Sequence, residues 1–169
     1  MSRQLLDASN TVELITMLLP VKGKSLLLPN VTVAEIIHVA DIKPLDDVPT
    51  WFKGMISWRG YAIPVISYEA INDDPFVASA EDLHAAVING SVDNMSVPFY
   101  AVVTQTTPRM MRITGQEVVK NTSGGRGGPA ELMAVSACGE KAAIPNLDFI
   151  EGELIRIVKE AGCDMANAG

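Results

Sequence analysis

The sequence is built from short apolar runs that are separated by turn residues. The run at 31–39 reads Val-Thr-Val-Ala-Glu-Ile-Ile-His-Val and is β-branched at six of its nine positions. β-branched side chains favour strands over helices, and runs this short are typical of strands. Most of the chain is therefore predicted to form short β-strands.

The predicted strands fall into adjacent pairs joined by turns, which is the pattern of β-hairpins. The pairs are residues 12–19 with 25–28, 85–89 with 97–104, and 132–137 with 141–144, together with a hairpin over 54–66 that turns near Arg59-Gly60. Residues 41–49 and 72–82 are rich in acidic residues and contain proline, so both are predicted as loops, the second as an internal boundary.

Two of the predicted hairpins resemble each other. Ile-Ser-Trp-Arg-Gly-Tyr-Ala-Ile-Pro at 56–64 and Val-Ser-Ala-Cys-Gly-Glu-Lys-Ala-Ala-Ile-Pro at 135–145 share an apolar-Ser start, a glycine turn and an Ala-Ile-Pro end. The second turn is predicted to be two residues longer. Similar segments roughly half a chain apart predict two similar β modules side by side.

One segment, residues 150–161, has the spacing of an amphipathic helix. Ile150, Leu154, Ile157 and Val158 fall on one face, and charged residues fill much of the rest. Gly162 stands where a C-capping glycine is expected. The stripe has the width expected for packing on the protein's own β core, so this helix is predicted to be structural.

Composition excludes several classes of function. The chain of 169 residues carries 13 basic and 20 acidic residues, a net charge of -7, so it is unsuited to phosphate neutralisation and no nucleic-acid partner is predicted. Cys138, Cys163, His38 and His84 are its only cysteines and histidines, which argues against a metal site, a cofactor or catalysis. No apolar run is long enough to span a bilayer, so no membrane insertion and a cytoplasmic location are expected.

Two motifs carry a resemblance to a known family. Residues 28–36 read Leu-Pro-Asn-Val-Thr-Val-Ala-Glu-Ile, and residues 54–65 read Gly-Met-Ile-Ser-Trp-Arg-Gly-Tyr-Ala-Ile-Pro-Val. In order and spacing they resemble the CheW-like coupling proteins of bacterial chemosensory systems. The Trp-Arg-Gly form and Leu-Leu-Leu-Pro-Asn-Val at 26–31 resemble most the ChpC type, which belongs to systems that control type IV pili.

The resemblance implies a fold and a function. The fold is mainly β: two SH3-like five-stranded β-barrel subdomains related by a pseudo-twofold, with a C-terminal α-helix. A single domain would span 12–162, with barrels at 20–80 and 83–149, the helix at 150–162, and loose termini at 1–11 and 163–169. The implied function is a non-enzymatic adaptor between the cytoplasmic tips of chemoreceptors and the CheA-like regulatory domain of a histidine kinase. A groove between the barrels would accept the helical receptor tip.

Arg59 and Gly60 form the sharpest candidate site. A glycine-assisted turn can hold an arginine outward, where its planar guanidinium suits the carboxylates of a partner. In the resembling family the arginine of this turn is linked to receptor and kinase coupling. The alternative is an ordinary solvated arginine at a hairpin tip.

The remaining candidates are Trp58, directly before this turn, and three residues of the predicted strand at 31–39. The resemblance assigns Val31 and Val33 to an apolar patch that docks on the kinase, with Glu35 as a polar rim; plain burial in a strand is equally open. Trp58 could be an interface residue, but strand alternation places it with Ile56 on the inner face, which favours core or core edge.

Two other functions stay open as alternatives. The first is a small-ligand-binding β-barrel, which would require a closed apolar cavity with convergent polar groups. The second is an enzyme, which would require His38 or His84 to lie beside Cys138. The glycine-rich stretch at 124–128 lacks the ending of a phosphate loop, and the acidic residues of 73–82 lack the spacing of a calcium loop.

Overall fold

The computed structural model describes residues 12–74, 83–91, 96–122 and 127–162. Within them the chain forms the following strands and helices: β1 (Glu13–Val21), β2 (Lys24–Pro29), β3 (Val33–His38), β4 (Phe52–Trp58), β5 (Tyr61–Ile66), α1 (Tyr68–Ile71), β6 (His84–Asn89), β7 (Phe99–Thr104), β8 (Arg109–Thr114), β9 (Val118–Lys120), β10 (Glu131–Ala137), β11 (Glu140–Pro145) and α2 (Leu147–Ala161). The predicted loose termini and most of the acidic segment at 75–82 lie outside the described residues.

The strands form two sheets. Sheet 1 has six strands in the order β8-β1-β2-β11-β10-β9, and sheet 2 has five in the order β3-β6-β7-β5-β4. Neighbouring strands are antiparallel except β2 with β11 and β5 with β7. The prediction of a mainly β fold with two similar units and a C-terminal helix is confirmed.

The two sheets share one strand arrangement, and each contains strands from both halves of the chain. In sheet 1 the hairpin β1–β2 pairs with β8 on one side and, in parallel, with β11 on the other. In sheet 2 the hairpin β6–β7 pairs in the same way with β3 and β5. Each sheet therefore takes strands from both halves of the chain, so the strand order by itself does not support the predicted division at 20–80 and 83–149, which stays a prediction.

Two details differ from the predicted five-stranded barrels. Sheet 1 gains the short strand β9 as a sixth member, and within the described residues no ladder joins β8 to β9 or β3 to β4. The sheets are thus open in their hydrogen bonding. At the open side of sheet 2, Lys43 and Met55 exchange two backbone hydrogen bonds of 2.9 and 2.8 Å, so part of the predicted loop at 41–49 lines the edge of β4.

Gly54 permits this close approach. Its φ is +142°, and a side chain there would overlap the carbonyl group of Lys43. The same residue lies at a register shift between β4 and β5, where strands commonly bend.

The two similar hairpins have turns of equal length, which corrects the sequence-based expectation. β4 and β5 are joined by Arg59-Gly60, and β10 and β11 by Cys138-Gly139, and all four residues have positive φ. Positive φ at both central residues is the mark of the two-residue hairpin turn that matches strand twist. The extra two residues of the second segment lie in β11, between the turn and the Ala-Ile-Pro sequence, and β5 and β11 are both six residues long.

The apolar residues of the described part form three cores rather than the two that two separate barrels would need. The inner side of sheet 2 buries one cluster that includes Ile63 and Val65, and the inner side of sheet 1 buries another around Leu18 and Val135. The largest core joins the two sheets to α2, with Leu154 fully buried in it. Burial of apolar area between the sheets is therefore a main source of their association.

Helix α2 begins three residues before its predicted start. The side chain of Asn146 accepts a hydrogen bond from the backbone N–H of Phe149 at 3.2 Å and so caps the first turn. Gly162 closes the helix in the left-handed conformation, as predicted. The predicted apolar stripe is buried, but so is Glu151, whose Oε1 accepts the backbone N–H of Ser91 at 3.1 Å. Burial raises the pKa of the Glu151 carboxyl group.

Within the described residues, no helix is long and apolar enough to cross a membrane.

Candidate functional site

The turn between β4 and β5 presents Arg59. Arg59 has a φ of +48° and Gly60 a φ of +83°, between the paired residues Trp58 and Tyr61. Gly60 adopts this conformation without strain, whereas the conformation is strained for a non-glycine residue such as Arg59. The Arg59 side chain is 65% exposed, so a strained turn holds a guanidinium group in solvent.

Glu35 connects this turn to the opposite edge of the sheet. One carboxylate oxygen, Oε2, accepts a hydrogen bond from Nε1 of Trp58 at 2.8 Å and lies 3.1 Å from a guanidinium nitrogen of Arg59. Glu35 lies on β3 and Trp58 on β4, the two end strands of sheet 2. A single carboxylate therefore joins two strands between which the described residues form no backbone ladder, and it also orients the exposed arginine.

An aromatic row lies beneath the arginine. The guanidinium carbon of Arg59 is 4.9 Å from the centre of the Trp58 ring, within the range of a cation–π contact. The Trp58 ring meets that of Phe99 at 4.9 Å, and Phe99 meets Tyr61 at 5.2 Å. Trp58 is only 8% exposed, which places it at the core edge, in agreement with strand alternation.

Sequence reasoning missed Phe99 and Tyr61. Tyr61 stands opposite Trp58 in the predicted hairpin, so its place in the row could have been found from the register. Phe99 had no such signal, because it reaches the row through the parallel pairing of β5 with β7.

The two valines of the predicted patch separate in the structure. β3 begins at Val33, two residues later than predicted, because Asn30–Thr32 forms a single turn of 3-10 helix after Pro29. Val31 lies in this turn and is 83% exposed, and its carbonyl oxygen accepts a hydrogen bond from the side-chain amide of Asn89 at 3.1 Å. Val33 is half-buried and packs against the largest core. Of the two valines, Val31 is therefore the one that offers an exposed apolar contact.

A second polar cluster, not foreseen from the sequence, lies where the two sheets meet. Buried Glu131 pairs with Lys24 and lies 3.4 Å from the hydroxyl group of Tyr68, which donates to it. Burial, with Glu131 close by, raises the pKa of the Tyr68 phenol. Buried Glu69 accepts hydrogen bonds from the backbone N–H of Lys22 and the side-chain amide of Gln105. Each of the two carboxylates accepts hydrogen bonds from donors on other elements, and we call the cluster around Glu69 and Glu131 the clasp.

The predicted groove for the receptor tip would lie between the two units, near this cluster. The facing sides of the sheets are filled by the largest core. A pocket of about 310 Å³ opens beside the clasp, lined in part by Lys22, Lys24 and Asp74. Such a lining is charged, whereas a groove for an amphipathic helix is apolar. The receptor groove stays a prediction.

The residues that the enzyme alternative would require are Cys138 and the two histidines. Cys138 is exposed in its turn, and the two histidines contact each other at 5.6 Å between ring centres. No group of three or more His, Cys, Asp or Glu side chains is placed to hold a metal ion within the residues described. Residues 123–126 of the glycine-rich stretch lie outside that part.

The structure is thus a β protein with an oriented arginine over an aromatic row, and with an exposed valine on the turn before β3. Comparison with known proteins agrees with this fold. A family model described as CheW-like domain matches residues 16–150, and the chain belongs to that family. The scaffolding protein TtCheW from Thermoanaerobacter tengcongensis has a similar fold, with a TM-score of 0.65 and 12% identity over 79% of this chain and 89% of that one. Among curated proteins no sequence matches.

Proposed function

We propose that the protein is a non-enzymatic adaptor that couples chemoreceptors to a histidine kinase in a bacterial chemosensory array. Membership of the CheW-like family supports this function, and so does the shared fold with a protein described as a scaffold. The observation that carries the proposal is Arg59, exposed on a strained turn and oriented by Glu35. The adaptor would work in the cytoplasm, bound to receptor arrays through protein contacts.

The geometry suits recognition of an acidic partner surface. Arg59 is in contact with one oxygen of Glu35, and a guanidinium group has five N–H donors, so donors remain for a partner carboxylate. A planar fork that is already oriented loses less conformational entropy on binding. We assign Arg59, Gly60 and Trp58 with Glu35 to the receptor or kinase contact.

Val31 supplies the apolar part of the proposed contact. Its side chain stands on a turn that is tied to β6 through Asn89, so it is exposed without being loose. Val33 is assigned a supporting role beneath it, because its side chain packs on the largest core. We place the docking of the kinase regulatory domain here.

The proposal also covers the motility that the array controls. The Trp-Arg-Gly turn and Leu-Leu-Leu-Pro-Asn-Val at 26–31 favour the ChpC type, and hence control of type IV pili and twitching motility. Deletion of the gene is expected to impair twitching and to leave swimming intact. The reverse phenotype would assign the protein to a flagellar system.

Binding measurements test the adaptor function directly. The purified receptor tip and the kinase regulatory domain are titrated with wild type, Arg59→Glu and Val31→Asp, and with Arg112→Glu as a control. Arg112 is an exposed arginine on β8 of the other sheet, so it matches the charge change at a different place.

We expect Arg59→Glu and Val31→Asp each to weaken one of the two complexes at least tenfold, about 1.4 kcal/mol. The control should stay within about twofold. Absence of binding by the wild type at low salt would overturn the adaptor function. Tight binding that neither variant weakens would leave the adaptor function standing and remove the assigned surface.

A further inference from the structure

The only two histidines of the chain lie side by side. His38 ends β3 and His84 begins β6, and they are direct partners in the antiparallel register. Their ring centres are 5.6 Å apart with the ring planes at 89°. His38 is exposed and His84 half-buried, so the pair is open to solvent.

The spacing matches that of two imidazoles on one metal ion. With metal–nitrogen bonds of about 2.0–2.1 Å, two ligating imidazoles have ring centres roughly 4.5 Å apart when cis and roughly 6.4 Å apart when trans, and the observed 5.6 Å lies between these limits. Directly opposed side chains project from the same face of a sheet, and the backbone ladder fixes their separation. Little rearrangement is therefore needed for both rings to turn a nitrogen toward one ion.

We propose that His38 and His84 form a two-histidine site for a divalent first-row transition ion, bound most tightly as Cu(II). The described residues include no group of three or more potential ligands, so water completes the coordination. Imidazole suits Cu, Ni and Zn, and affinity at a fixed site rises to a maximum at Cu(II). This site is separate from the proposed adaptor function and does not depend on it.

A metal ion bound to the two histidines would link the edge strand of sheet 2, β3, to its neighbour β6. Among the described residues β3 is an end strand with β6 as its one ladder partner, and it carries Glu35 three residues before His38. A metal bridge would add a link between β3 and β6 at the end of their ladder. Binding should therefore stabilise the folded protein by mass action.

The test is a titration of the full chain with CuCl₂, NiCl₂ and ZnCl₂, followed by isothermal calorimetry. Cys138→Ser/Cys163→Ser serves as the background for every sample, because thiols bind and reduce Cu(II). We expect one ion per chain, with affinity in the order Cu(II) over Ni(II) and Zn(II). His38→Ala and His84→Ala should each weaken Cu(II) binding at least tenfold.

Two measurements separate the loss of a ligand from the loss of the fold. Circular dichroism without metal checks that the variants fold, and electron paramagnetic resonance of the Cu(II) complex should show two coordinated nitrogens. Absence of binding by the background protein would overturn the proposal. The proposal would also fall if the double variant His38→Ala/His84→Ala bound Cu(II) as tightly as the background, or if only one of the two single variants weakened binding, since either result assigns the ion to another place.

Discussion

Removal of the Glu35 carboxylate is the sharpest test of how the candidate site is held together. In Glu35→Ala, two donors lose one acceptor: Nε1 of Trp58, at 2.8 Å, and the guanidinium group of Arg59, at 3.1 Å. The two losses differ in kind. Trp58 is 8% exposed, whereas the Arg59 side chain is 65% exposed.

The magnitudes follow from that difference in burial. A hydrogen bond to a charged group contributes about 1.5–3 kcal/mol, and a buried donor left without a partner pays its desolvation cost. An exposed ion pair contributes about 0.2–1 kcal/mol. We therefore expect Glu35→Ala to lower the free energy of unfolding by about 2–3 kcal/mol, and Arg59→Ala by less than about 1 kcal/mol.

Glu35→Gln is the matched control. It keeps an oxygen acceptor for Trp58 and removes only the charge, so its expected cost is about 1 kcal/mol or less. Urea denaturation monitored by tryptophan fluorescence measures all three variants, and equal m-values are required for the comparison. Trp51 is the second tryptophan, so a Trp51→Phe background isolates the signal of Trp58.

Equal destabilisation by Glu35→Ala and Arg59→Ala would refute the reasoning, because it would mean that the tryptophan bond contributes nothing. Equal destabilisation by Glu35→Ala and Glu35→Gln would instead assign the whole effect to charge.

The remaining predictions concern the polar groups between the sheets and the exchanged strands. Lys24→Met leaves buried Glu131 without its cation and is expected to lower the free energy of unfolding by about 3 kcal/mol, measured by urea denaturation. The neutral substitution Glu131→Gln should lower it by less. The opposite order would contradict the role of this ion pair in the clasp. Burial raises the pKa of the Glu151 carboxyl group, so the stability that Glu151 contributes is present below the usual carboxyl pKa and is lost as the pH rises through the raised pKa. Glu151→Gln should therefore raise the Tm at neutral pH and lose this advantage in acid. A Tm difference that does not change with pH would contradict the prediction. Each sheet contains strands from both halves of the chain, so fragments 1–74 and 83–169 should each be unfolded alone and should fold when they are mixed, as measured by circular dichroism. Independent folding of either fragment would contradict the need for strands from both halves.

Local structure was predictable because its causes are local. The hairpin at 54–66 follows from alternating apolar residues around a glycine turn, and α2 from an apolar stripe followed by Gly162. The start of α2 was missed by three residues because the cap at Asn146 lies outside the stripe. The strands β8 and β9 and the short helix α1 were missed, since they carry weak patterns of their own and depend on neighbours.

The assembly of the site could be predicted only in part. Sequence motifs selected Arg59, Trp58 and Glu35, but nothing local shows that one oxygen of Glu35 serves both of the others. That contact requires β3 and β4 to meet as the two ends of a curved sheet. Phe99 enters the same site from the second half of the chain.

The mainly β fold, the hairpins and the C-terminal helix can be predicted from the amino-acid sequence, because periodicity and turn residues act over a few positions, and the two motifs indicate the family. The pairing of a hairpin from one half of the chain with strands of the other half, and the largest core between the sheets, are apparent only in the tertiary structure. It also brought together His38 with His84, and Lys24 with Glu131. Contacts between residues far apart in the chain are fixed by burial and strand pairing over the whole molecule, which no short segment encodes.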